Sequence, residues 1–201
     1  MEKSIIKAIE DRRSFYSIGE NSPISDMEIE RLLEVAITFT PSPFNSQSAR
    51  YVLLLGNAHK AFWGIVKSAL EKIVPPESFG KTEGKINRSF LAGYGTVLFY
   101  EDHSVVKELQ AKFPTYADNF PVWSEHSSGM NQFAVWMLLE AAGLGASLQH
   151  YNPLIDEEVR KKWNINPEWK LIAQMPFGAP LAHPGEKTFI PIAERLVIVE
   201  E

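Results

Sequence analysis

The sequence predicts a single α+β domain spanning residues 1–201, and two kinds of pattern carry that expectation. Apolar residues recur at helical spacing in several segments. Between those segments lie short runs that are apolar at nearly every position, as in strands covered on both faces. With 45% hydrophobic residues, the chain has enough apolar surface for one core of ordinary size.

From Glu2 onward, Ile5, Ala8, Ile9 and Arg12 share one helical stripe, so Arg12 extends an inward face one turn past Ile9, with Arg13 beside it. Two cations at a helix C-terminus complement its dipole. Followed by Ser14, they also suit a phosphate, because guanidinium forks meet phosphate oxygens two at a time. Both readings stand at this point. The next helix start is explicit: Ser25 and Glu28 form a capping box, and Ile24 and Ile29 occupy the staple positions. Leu32, Leu33, Ala36 and Ile37 continue the helix, which ends before Pro41.

Pro41 to Arg50 then crowds two prolines, three serines, an asparagine and a glutamine into one connection. Such a segment is a rigid loop offering amide and hydroxyl groups. Tyr51 to Leu55, closed by Gly56, predicts a strand buried on both faces. Asn57 is placed to cap a third helix whose inward side carries Phe62, Val66, Ala69, Leu70 and Ile73, stopped by Pro75 and Pro76. Phe79-Gly80-Lys81-Thr82 is no phosphate-binding P-loop, since Pro75 stands where that motif needs glycine.

Thr96 to Tyr100 predicts a second buried strand, and Ser104 a helix cap. Pro114 and Pro121 bracket an aromatic loop, where Trp123 is placed either to line a ligand slot or to anchor the surface. Ser127 to Ala142 is the most apolar helix, suited to the domain centre or a subunit interface. Gly143 suits its stop, and the Gly-x-Gly that follows lacks the position and third glycine of a Rossmann site. Asp156 is placed to cap a helix ending near Trp163, and Leu171 to Met175 predicts another strand. Leu196 to Val199 predicts a last strand, paired with its own sheet or a partner's.

The chain has no cysteine, so thiol nucleophiles and Cys-ligated metals are excluded and any redox chemistry belongs to a bound cofactor. The five histidines show no metal-ligand spacing, and no metal is expected. A net charge of -5 without a basic block argues against a nucleic-acid partner. No apolar run reaches the roughly 20 residues of a membrane helix. The start lacks signal-peptide features, and a cytoplasmic location is expected.

Taken together, Arg12-Arg13-Ser14, Pro41-Ser42 with Asn45-Ser46-Gln47, Ala141-Ala142-Gly143-Leu144-Gly145 and Lys187 resemble the FMN-dependent nitroreductase family in order and spacing. Arg-Arg-Ser-Phe-Tyr and Lys-Thr-Phe are similar to its compact subgroup, which includes the fungal fatty-acid-repression-mutant type and the copper-induced nitroreductases of lactic acid bacteria. The resemblance implies a central, mostly antiparallel sheet flanked by helices, with the C-terminal strand exchanged in an intertwined homodimer. It also implies FMN at the dimer interface, NADH or NADPH as co-substrate, and nitroaromatics or quinones as small-molecule electron acceptors in a ping-pong reaction. A non-catalytic flavin-binding dimer and oxygen-dependent flavin chemistry are the alternatives on the same fold.

Carried over by position, Arg12, Arg13 and Ser14 would hold the flavin phosphate, ribityl chain and pyrimidine edge, with Lys187 adding charge at the phosphate. Pro41, Ser42, Pro43 and Asn45 would come from the other subunit, supported by Gln47. Leu148, Gln149 and His150 would run beside the flavin's central ring. Tyr16 joins the cofactor-binding set, but it and Phe189 stand where many relatives carry a basic residue. No catalytic side chain is implied, since the flavin carries the chemistry.

Overall fold

An antiparallel sheet organises the chain, in the order β1 (Ile18–Gly19), β5 (Trp169–Pro180), β3 (Gly95–Asp102) and β2 (Ala49–Leu55), with β4 (Gly145–Ala146) also paired to β5. Around it lie α1 (Ile5–Asp11), α2 (Asp26–Phe39), α3 (Gly56–Glu71), α4 (Pro76–Ile86), α5 (His103–Lys112), α6 (Asn119–Ala141) and α7 (Asp156–Trp163). The computed structural model describes residues 3–200, so the predicted helix start at Glu2 lies outside the described residues. The expected α+β architecture, a mostly antiparallel sheet flanked by helices, is present.

The central strand shows why two helical layers are needed. Side chains alternate across a strand, so Val97 and Phe99 face one way while Leu98 and Tyr100 face the other. Val97 and Phe99 join Ile29, Leu33 and Ala36 of α2 and Val135 and Leu139 of α6. Leu98 and Tyr100 join Phe62, Trp63 and Val66 of α3 and Val159 of α7. Every residue of β3 is buried. That matches the nearly all-apolar run Thr96 to Tyr100, and burial extends to Glu101 and Asp102 beyond it.

β2 departs from the expectation of burial on both faces, because it is the edge of the sheet and only Leu54 is fully buried. In α1, Ala8 alone of the predicted stripe is buried. Ile5 and Ile9 are exposed in the single chain. The capping box of α2 is present, with Glu28 N–H donating to Ser25 Oγ at 3.3 Å and Ser25 N–H to Glu28 Oε2 at 2.9 Å.

Four helix starts fall elsewhere than predicted; at α7 the cap residue is Ile155, and Asp156, the predicted cap, is the first helical residue with no side-chain bond to the helix end. α3 begins at Gly56 without a side-chain cap, not after Asn57, and Ile73 lies beyond its end and exposed. Asp102, not Ser104, caps α5, its carboxylate accepting from Ser104 N–H at 3.1 Å. α6 begins at Asn119, and Pro121 sits in its first turn, where a missing N–H costs nothing.

α6 also differs in character from its expected near-continuous apolar surface. Its buried face carries Ser124, Ser127, Ser128, Asn131 and Gln132, while Met130 and Phe133 are exposed. The buried amide N–H groups find acceptors within the helix, Asn131 Nδ2 donating to Ser127 O and Gln132 Nε2 to Ser128 Oγ, while Asn131 Oδ1 accepts from the Tyr51 hydroxyl of β2. Gly143, at φ +83°, ends the helix in the left-handed region that glycine adopts freely.

Among the described residues, Leu196 to Val199 forms no strand and pairs with no strand of the sheet. Its four apolar side chains are exposed. Among the described residues, no helix is long and apolar enough to cross a membrane.

Candidate functional site

The segment after α1 is held against the core by one short pairing. Ser14 bridges Ala146 in parallel fashion, and Phe15 N–H donates to Ala146 O at 2.9 Å. Phe15 is buried and passes so close to Gly145 that a Cβ there would lie 2.9 Å from its Cγ. Fixing Phe15 inward directs its neighbours Ser14 and Tyr16 to the mouth of a cleft.

That cleft, of about 660 Å³, is lined by Arg12, Arg13, Ser14, Tyr16 and, from the tail, His183 and Lys187 among others. Arg12 stacks its guanidinium 4.6 Å from the centroid of the Trp136 ring on α6. Arg13 reaches across and donates to Gly185 O at 2.6 Å, which ties the tail to the first helix. Lys187 places its ammonium 5.1 Å from the Phe189 ring. Among the described residues, no carboxylate forms a salt bridge with Arg12, Arg13 or Lys187. Glu186 shares the lining, yet three cations without salt bridges converging on one cleft make it suited to an anion.

The loop after α2 lies apart from that cleft. Ser42 and Gln47 line a separate cavity of about 250 Å³ with Thr38, Thr40, Arg50 and, from α6, Ser127 and Asn131. The two clefts have no lining residue in common. Within one chain the structure therefore brings Arg12, Arg13, Ser14, Tyr16 and Lys187 together, but not Pro41, Ser42, Pro43, Asn45 or Gln47 with them.

The loop is held in an unusual backbone conformation. Phe44, Asn45 and Gln47 all have positive φ, at 54°, 51° and 50°. Left-handed backbone costs roughly 1–2 kcal/mol for residues with a Cβ, least for Asn. Local hydrogen bonds offset part of this: Asn45 N–H donates to Ser42 O, and Gln47 N–H donates to Ser42 Oγ, both at 3.0 Å. Phe44 is half-exposed at the surface, but its ring packs 4.8 Å from that of Phe113 and stacks on Trp123. Trp123 thus anchors the loop from α6. The Asn45 side chain is exposed and makes no hydrogen bond among the described residues.

The stretch Leu148 to His150 does not line either cleft, but continues from Ala146, the residue paired with Ser14. Gln149 is bound into the sheet, its N–H donating to Gln174 O at 2.7 Å and its side chain to Ser147 Oγ at 3.1 Å. Alternation turns the neighbouring Leu148 and His150 the opposite way.

Two features escaped the sequence. Lys85, on α4, lies 5.7 Å from the ring centroid of Tyr16, so a cation stands beside the aromatic residue at the cleft. No local spacing links positions 16 and 85. Glu101, on β3, is wholly buried, and burial pushes its carboxyl up to about 7 despite a bond from Ser48. The signal for it was an acidic pair, Glu101-Asp102, directly after a continuous apolar run.

Residues 9–179 match the Nitroreductase family, and the chain belongs to that family. Within it, the chain is similar to compact members from yeast and a lactic acid bacterium. The nitroreductase FRM2 of Saccharomyces cerevisiae is 35% identical over 187 residues, covering 92% of each chain. HBN1 of the same yeast is 38% identical over the same length and coverage. The solved structure of nitroreductase CinD from Lactococcus lactis, in complex with chloramphenicol, is 44% identical. It covers 98% of this chain and 100% of its own, with a TM-score of 0.88.

Proposed function

We propose that this protein is an FMN-dependent oxidoreductase, working as a cytoplasmic homodimer, that transfers electrons from NADH or NADPH to nitroaromatics or quinones by a ping-pong mechanism. The observation that carries the reading is the convergence of Arg12, Arg13 and Lys187 on one cleft in a chain of the nitroreductase family. Those side chains fit a phosphate monoester, and Ser14 adds a hydroxyl for the ribityl chain. Bound FMN supplies hydride acceptance and electron release.

The chain's own residues bind and orient. Arg12, held by Trp136, presents its fork in a fixed plane, and Arg13 both binds and pins the tail that carries Lys187. The partner's copy of the Pro41–Gln47 loop would complete the wall, since one chain keeps that loop away from its own cation cleft. Exposed Ile5, Ile9, Met130, Phe133 and Leu196 to Val199 supply apolar surface for that partner. Carried over from the family resemblance, a backbone N–H of Leu148 or His150 would face the cofactor, that of Gln149 being bound to Gln174 O. CinD has been solved with chloramphenicol, 4-nitrophenol and nicotinic acid, and we carry that class of small aromatic ligand to this chain.

The test is direct. Protein purified with FMN is expected to lose its flavin absorbance on anaerobic addition of NADH or NADPH and regain it with a nitroaromatic. Protein that cannot be loaded with FMN would refute the reading. Protein that binds FMN but is not reduced by either nicotinamide would make it the non-catalytic alternative.

A further inference from the structure

Outside the cation cleft, the described residues contain a buried carboxyl at the exit of the loop. Glu101 is fully buried on β3. Its Oε2 accepts from Ser48 Oγ at 2.6 Å, and its Oε1 has no hydrogen-bond partner. Ser48 is also buried, follows the left-handed residue Gln47 directly, and accepts from Asp102 N–H at 2.9 Å through its carbonyl. The strained loop is thus tied to β3 by one backbone and one side-chain bond at adjacent residues.

We propose that Glu101 is a positioning residue, holding the Pro41–Gln47 loop in its binding conformation through its buried bond to Ser48. The inference rests on the reading that this loop walls a flavin. A neutral carboxyl tolerates a single partner in a dry site. An ionised one does not, and draws water or further donors toward the loop exit.

The charged and titratable groups around it do not supply that second donor. Arg50 on β2 is committed to Asp102 at 2.9 Å and to Gln47 O at 2.7 Å. Tyr51 on the same strand is bonded to Asn131. Lys170 on β5, opposite Glu101, pairs with Glu125 of α6 at 2.8 Å. Glu125 and Asp102 oppose ionisation further, as like charges, while the positive charge of Arg50 favours it; burial outweighs both. Because burial places this titration near neutrality, the loop responds in an ordinary pH range.

The test uses the full-length protein as wild type, Glu101→Gln and Ser48→Ala. Protection of the amides of residues 42 and 44–48 against hydrogen exchange, corrected for intrinsic rate, is expected to fall about tenfold for the wild type between pH 6 and pH 8.5. The same amides should stay protected throughout in Glu101→Gln, and be weakly protected throughout in Ser48→Ala. The FMN dissociation constant of the wild type, divided by that of Glu101→Gln to cancel phosphate ionisation, should rise about tenfold over the same range. Loop protection independent of pH in the wild type, or a Glu101→Gln profile that follows it, would overturn the proposal. Protein that binds no FMN at any pH overturns the flavin reading and with it the wall assigned to the loop, while the exchange data still decide whether Glu101 positions it.

Discussion

The guanidinium of Arg12 lies over the ring of Trp136, 4.6 Å from its centroid. The arrangement reconciles two roles that the sequence leaves open, since a stacked guanidinium keeps its edge donors for an anion while its face packs on α6. Arg12→Ala is expected to weaken FMN binding by about 1.5–3 kcal/mol, the worth of a hydrogen bond to a charged group. Arg12→Lys should recover only part, because it keeps the charge and loses the fork. Fluorescence titration of free FMN checks both.

Stability should respond to pH through Glu101 with a definite sign. Burial raises its carboxyl from 4.5 to about 7, so between those values the folded state keeps a proton that the unfolded state has released. Stability contributed by this group therefore falls as pH rises from about 4.5 to about 7, and is level above. Glu101→Gln removes the slope, with a gain over wild type of about 3 kcal/mol at pH 8. His59, lowered by burial, acts oppositely as pH falls below its ordinary 6.5, and is common to both proteins. Urea denaturation of the pair at pH 5, 6, 7 and 8 reads the difference.

Ser25→Ala should cost about 1 kcal/mol, the usual worth of a Ser N-cap. Both arms of its capping box are formed at the start of α2. The loss should leave the midpoint of FMN binding unchanged, since Ser25 lines neither cleft. Denaturation and titration of one preparation test the two statements together.

Gly145→Ala addresses the seat of the cation segment. Its added methyl would meet Phe15 at 2.9 Å and Pro180 at 3.2 Å. Overpacking of this kind costs roughly 1–3 kcal/mol. Because Phe15 directs Ser14 and Tyr16, FMN affinity should fall along with stability, unlike in Ser25→Ala. A Gly145→Ala protein that loses stability but binds FMN normally would separate the Phe15 seat from the site.

Removing residues 188–201 should yield a monomer by sedimentation and abolish tight FMN binding. The cut takes away exposed Phe189, Ile190, Ile192 and Leu196 to Val199 while leaving Arg12, Arg13 and Lys187 in place. An FMN-loaded truncated monomer would contradict the shared site.

Much of this architecture could be read from pattern alone. Apolar runs located most of β3 and the Leu171–Met175 part of β5, and the Ser25–Glu28 signature located α2, because burial on two faces and helix capping are local demands. Failures came where the cause was distant. β2 reads as a central strand, yet becomes an edge because nothing pairs beyond it. Asp102 displaced Ser104 as a cap, since either residue type can serve and position decides. For the site, Arg12, Arg13, Ser14, Tyr16 and Lys187 do share one cleft, although 171 positions separate Lys187 from Tyr16. Lys85 and Glu101 stayed hidden, because a side chain's neighbours across the fold leave no periodic trace.

The separation of the two clefts has a genetic consequence. If each working centre takes cations from one chain and its wall from the other, an Arg12→Ala chain and a loop-defective chain, each impaired alone, rescue one another when co-expressed. The mixed pair contains one centre carrying both lesions and one carrying neither. Equal mixing makes half of all pairs mixed, so about a quarter of the wild-type centres return. Two defects within the same cleft would show no such rescue.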